Sequence, residues 1–183
     1  VYRNAADLGF GRGMFMRTNA NGDVAAYVEN YPTLADAVAA VKAGNNNRII
    51  ATVAMEWSAH PTNGGARYVK FYTFRSDGSR VNPEDDSVFA PDLDGRGEKF
   101  QPGVCNICHG GQPKPLVSGE YPDDGNTDAQ FLPWDVDSFE FSDDPEFTLA
   151  ALEPEFKKLN QGALSRYPAT PAAAAWGPGS LGA

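Results

Sequence analysis

The chain has 183 residues, 42% of them apolar and 21% charged, enough apolar material for one domain with a core of its own. A net charge of −9 and a pI near 4.6 argue against nucleic acid and anionic membrane surfaces, which call for clustered Lys and Arg. A basic protein partner suits this charge, and no stretch is long and apolar enough to span a bilayer.

The opening "VYRNAADLGF" has neither Met nor a basic-then-apolar leader, as expected of a processed chain or an excised piece. "RGMFMRT" and "DVAAYVEN" then flank "NANGD". Asn21-Gly22 tolerates positive φ, so a β-hairpin is predicted over residues 12–30. In "YPTLADAVAAVKAG", Leu34, Ala37, Val38 and Val41 share one helical face. Thr33 is placed to cap that helix, Lys42 to sit in its last turn and Gly44 to close it.

"RIIATVAMEWSA" reads as a strand with Ile49, Ala51, Val53, Met55 and Trp57 on one face and Thr52, Glu56 and Ser58 on the other. "HPTNGG" turns the chain into a second, aromatic and β-branched strand, "ARYVKFYTFRSDGSRV". Residues 82–103 form a loop rich in Pro, Gly and Asp. Beyond Gly111 the chain is irregular to about residue 142. One or two short helices follow, with Asp144 as a cap and Pro145 at the first helical position. "ATPAAAAWGPGSLGA" is a low-complexity tail, and no internal repeat is found.

Both cysteines of the chain and one of its two histidines lie in "VCNICHGG". This is C-x-x-C-H, the attachment motif of c-type haem. Each thiol adds across one vinyl group to make a thioether, and the two-residue spacing lets both sulfurs reach one edge of the macrocycle. Cys105 and Cys108 are the expected attachment points and His109 the axial ligand. A zinc site would need four ligands, and only His60 remains. A thioredoxin-like dithiol would follow a βαβ pattern near the chain start. A disulfide across two residues would staple almost nothing.

Covalent haem attachment implies export, so a periplasmic or extracellular location is expected. No Met or His follows His109, so a sixth iron ligand must come from upstream: Met55, Met14, Met16 or His60. Met55 stands in the middle of a strand's apolar face, where a flat cofactor would pack; Met14 and Met16 share a face of the first strand. The ring nitrogen of His109 that does not bind iron should donate to a backbone carbonyl, with the loop around Pro113 and Pro115 as a ready source.

The order "DVAAYVENYPTLADAVAAVKAG", "RIIATVAMEWSA", "RYVKFYTF", "VCNICHGG" resembles a group of c-type haem proteins over residues 12–111. The group comprises cytochrome c-prime-beta and the lysine-crosslinked, hydroxylamine-oxidising cytochromes of the P-four-sixty type. The resemblance implies an α+β fold: a curved antiparallel β-sheet with a packed helix and the haem lying against the sheet. Met55 stands where the crosslinked enzymes carry their lysine, so that crosslink chemistry is not implied here. Residues 1–111 are then a β-rich haem-binding core. Residues 112–183 are a loop-rich, partly helical extension of the same domain, in which "FLPWDVDSFEF" covers either the haem or the sheet.

With a methionine on iron, one haem c would serve outer-sphere electron transfer between redox protein partners. The alternatives are a five-coordinate haem that binds small gases or acts on nitrogen compounds, and a relay module of a larger assembly. "PDLDGRGE" and "DVDSFE" carry carboxylates that could hold Ca²⁺, but neither matches the twelve-residue calcium loop.

Overall fold

The computed structural model describes residues 1–5, 8–45, 47–60, 64–81, 101–112 and 125–166. Its architecture is α+β. Five strands, β1 (Tyr2–Arg3), β2 (Gly11–Thr18), β3 (Val24–Tyr31), β4 (Ala51–His60) and β5 (Gly64–Arg75), form one antiparallel sheet in chain order. Three α-helices, α1 (Leu34–Ala43), α2 (Gly103–His109) and α3 (Leu149–Leu164), and one 3-10 turn, Val136–Ser138, lie among the described residues.

The predicted hairpin is β2–β3. Asn19 and Asp23 pair across its turn, and Gly22 takes a φ of 85°, a left-handed conformation that glycine adopts without a Cβ clash. The helix after it follows the sequence closely. Thr33 accepts from the Asp36 amide at 3.1 Å, Lys42 lies in the last turn, and Gly44 closes the helix in the left-handed region. α1 packs on β1, β2 and β3 at one end of one face: Tyr31, fully buried, packs with Ala37, Ala40 and Ile49. The Tyr31 hydroxyl donates to Glu29 at 2.8 Å.

Ile49 departs from the expected strand face. β4 begins only at Ala51, after Arg48 has turned the chain at a φ of 67°. Ile49 therefore falls before the alternation sets in and joins the cluster under α1.

The other face is organised in cross-strand rows. Met14, Val28, Val53 and Thr73 are register neighbours, and so are Met16, Ala26, Met55 and Phe71. Beyond them lie Thr18, Val24, Trp57 and Val69. Ala129, Phe131, Trp134 and Ala163 pack with Val24, Ala26, Val69 and Trp57, closing that end of the face. Within "FLPWDVDSFEF", then, Phe131 and Trp134 cover the sheet. Phe139 and Phe141 pack elsewhere: Phe139 stacks on Tyr2 at 4.2 Å, and both meet Phe156.

The C-terminal helix differs from expectation. It is one helix of 16 residues, capped by Thr148, whose hydroxyl accepts from the Ala151 amide. Asp144 does not cap it. Its carboxylate accepts from the Glu146 amide in the preceding turn and pairs with Lys42 of α1 at 2.8 Å. The low-complexity tail from residue 169 lies outside the described residues.

Candidate functional site

The C-x-x-C-H motif is helix α2, with Val104 and Asn106 buried and Cys108 and Ile107 toward solvent. Neither cysteine is in a disulfide. Three residues apart on one helix, the two thiols sit about one turn from each other on neighbouring faces. Burial, with Cys108 close by, pushes the Cys105 thiol up to about 12, against a smaller opposing pull from a Gln101 hydrogen bond. A redox dithiol works through a lowered pKa. Cys105 is the reverse, a thiol that burial keeps protonated and that is poorly suited to disulfide exchange.

His109 ends the helix. Its Nδ1 lies 3.0 Å from the Gln130 carbonyl oxygen, and the Gln130 amide donates back to the His109 carbonyl at 2.9 Å. A carbonyl only accepts, so Nδ1 carries the proton and Nε2 keeps its lone pair. Burial lowers the imidazole pKa, with the Gln130 bond opposing it, so the ring is neutral at neutral pH. The acceptor anticipated around Pro113 and Pro115 falls at residues outside those described; the carbonyl that holds the ring is Gln130's, twenty-one residues along the chain from His109.

The imidazole packs against Phe71, centroids 5.6 Å apart. Phe71 is the register partner of Met55 on β4, which lies one strand away, about 5 Å. Met14 and Met16 lie on β2, three strands away, about 14 Å. Gly162 of α3 lies directly against the Met16 sulfur. Met14 and Met16 both line a groove of about 490 Å³ with Phe147, Phe156 and Leu159, remote from His109. His60 ends β4 at its hairpin, past Trp57. Of the four upstream candidates the fold therefore brings Met55 nearest to the motif and seats Met14 and Met16 under α3.

A flat apolar group has somewhere to rest. Val24, Ala26 and Val69 are buried, yet Val28, Met55 and Phe71 are only half-buried and Val53 keeps 37% of its surface open. This uncovered apolar strip borders the motif helix, which is tied to the sheet through a hydrogen bond from Gln101 to Thr73. Two thiols on one helix, an imidazole with only Nε2 available and an open apolar strip beside them suit a covalent haem.

Among the described residues no three His, Cys, Asp or Glu side chains gather as a metal site. Within "DVDSFE", Glu140 pairs with Arg3 at 2.8 Å; "PDLDGRGE" lies outside the described residues. No helix among the described residues is long and apolar enough to cross a membrane.

The chain matches no protein-family model, no curated protein and no solved structure.

Sequence reasoning missed Phe71, Gln130, Asn106, Thr127 and Gly111. Gln130 acts through its backbone, and every residue carries a carbonyl, so no signal marks it. Gly111 did carry one, as the second glycine of "CHGG". Its φ is 78°, and a Cβ there would collide with the Thr127 carbonyl.

Proposed function

We propose that this chain is a monohaem c-type cytochrome that carries electrons by outer-sphere transfer, with His109 and Met55 as its axial ligands. The observation that carries the reading is the C-x-x-C-H helix on the sheet's apolar face, with the Nδ1 proton of His109 committed to Gln130. The order hairpin, helix, strand, strand, motif is also the order that the resemblance to the cytochrome c-prime-beta and P-four-sixty group implies.

A bound haem would supply a one-electron ferric/ferrous couple. Cys105 and Cys108 would hold one of its edges. His109 presents Nε2 as a neutral donor, and the Gln130 bond fixes the ring plane and raises its basicity. Met55 brings a thioether from the next strand, a ligand that favours the ferrous state and raises the potential. Phe71 and Val28 are the apolar neighbours of Met55 and Val53 on that strip. Cys108 and Ile107 are exposed, so the edge held by Cys108 would lie at the surface, within reach of a partner. The net charge of −9 favours a basic redox partner, and thioether formation favours an exported protein.

The test is the mass of the denatured chain after maturation in a bacterial periplasm with haem-attachment machinery. One haem retained by the wild type, and none by Cys105→Ser/Cys108→Ser, is expected. A wild-type chain with no added mass would overturn the reading. Covalent haem whose iron binds CO at once would move the five-coordinate, gas-binding alternative to first place.

A further inference from the structure

We infer that Asn106 and Thr127 are positioning residues that aim His109 at the iron by holding residues 125–131 as a strap across the motif helix; the inference rests on the haem reading above. Asn106 lies inside the motif, between the two cysteines, and is only 8% exposed. Its amide nitrogen donates to the Gly110 carbonyl and to Thr127 Oγ1, the latter at 3.1 Å. Thr127, 5% exposed, accepts in turn from the Gln112 amide at 2.8 Å through its carbonyl. Three residues further on, Gln130 exchanges two hydrogen bonds with His109.

The strap thus grips the motif at two places. At one end its register is set by the Asn106 side chain, and at the other it sets the imidazole. Gly111 lets the strap come this close, since any side chain there would strike the Thr127 backbone.

A merely structural part accounts poorly for Asn106. Its Oδ1 is buried with no hydrogen-bond partner among the described residues. A half-satisfied buried amide is a costly way to fill a helix, and an apolar side chain would serve packing better. What the amide does contribute is direction. Without it the Thr127 end of the strap keeps only the Gln112 hydrogen bond, and the Gln130 carbonyl is held less closely to the line of the Nδ1–H bond. The imidazole then loses the hydrogen bond that raises its basicity, becomes a weaker donor and favours ferrous haem.

The experiment is spectroelectrochemistry on the full-length haem-loaded protein. The variants are Thr127→Val, which removes the hydroxyl at nearly constant shape, Thr127→Ser, which keeps it, and Asn106→Ala. Thr127→Val and Asn106→Ala are expected to keep covalent haem and to shift the potential upward. The ferrous-to-ferric ratio at a fixed applied potential should rise about tenfold, which for one electron is about 59 mV. Thr127→Ser should stay at the wild-type value.

A wild-type potential in Thr127→Val and Asn106→Ala, or an equal shift in Thr127→Ser, would overturn the positioning role while leaving the haem reading intact. If Thr127→Val does not fold, Asn106→Ala alone decides by the same shift. If both fail to fold, the residues are structural and the inference falls. Absence of covalent haem from the wild type would remove the haem reading itself, and the inference with it.

Discussion

The face of the sheet under α1 is closed by near neighbours in sequence. Tyr31 of β3 meets Ala37 and Ala40 of the helix that follows, and Ile49 completes the cluster as the chain turns into β4. The opposite face is met from far along the chain, by His109 of α2 on Phe71, by Phe131 and Trp134, and by Ala163 of α3, and it leaves Val53 open. The α1 face carries a helix-on-sheet core at its Tyr31 end, with Tyr27 exposed beyond it. The other face is partly finished, with donor atoms on its border. The open surface lies beside the histidine and the two thiols, which is where a bound group would complete the packing.

That contrast makes substitutions on the two faces separable, because the motif face should govern the spectrum and the α1 face the stability. The largest effect is expected from His109→Ala: an absorption spectrum of the matured protein should show no low-spin haem at all. Next comes Met55→Ala, which should keep covalent haem but turn it high-spin and open it to CO in an optical titration. Met16→Ala, seated under α3, should leave the spectrum unchanged. On the α1 face, Tyr31→Ala removes a fully buried aromatic ring and should cost about 3–5 kcal/mol in a denaturant melt, with no change in haem spectrum per molecule folded. A spectral change in Tyr31→Ala, or none in Met55→Ala, would break the division between the faces.

Smaller effects sharpen the same division at its seams. Thr148→Ala removes the cap of α3 and should lower stability by about 1 kcal/mol, read as a shift of the melting midpoint. The smallest effect involves Asp144, whose pairing with Lys42 ties α1 to the turn before α3. The Lys42 hydrogen bond holds the Asp144 carboxyl below its usual range, with the Glu146 amide adding to it. Its folded pKa is depressed, so its contribution is whole above the usual aspartate range. It is lost as the pH falls through the folded value. Thermal melts between pH 6 and 3 should show Asp144→Asn slightly less stable at the upper end, with the deficit shrinking toward the lower.

The sequence was legible where structure is local. The Asn21-Gly22 turn, the Thr33 cap, the apolar stripe of α1 and the Gly44 stop each act within a few residues, and each stands in the fold as read. Alternation on β4 identified the face shared by Met55 and Trp57 but overran its start at Ile49, because periodicity does not mark where a strand's register begins. Asp144 and Pro145 have the form of a helix start. A lysine more than a hundred residues earlier draws Asp144 into a turn instead, and Thr148 caps the helix. The motif gave the identities of the candidate haem residues; their surroundings are long-range. Phe71, Thr127 and Gln130 reach His109 and Asn106 through tertiary packing, and one of them does so through a backbone atom that no side-chain pattern reveals.

The most direct test of the central claim is an optical spectrum of the matured protein, taken ferric, then reduced with dithionite, then under CO. Sharp low-spin ferrous bands, a weak red ferric charge-transfer band from methionine sulfur on iron, and no response to CO are expected. A high-spin spectrum that CO changes at once would contradict Met55 as a ligand and electron carriage as the function. A chain without haem absorption would contradict the account as a whole.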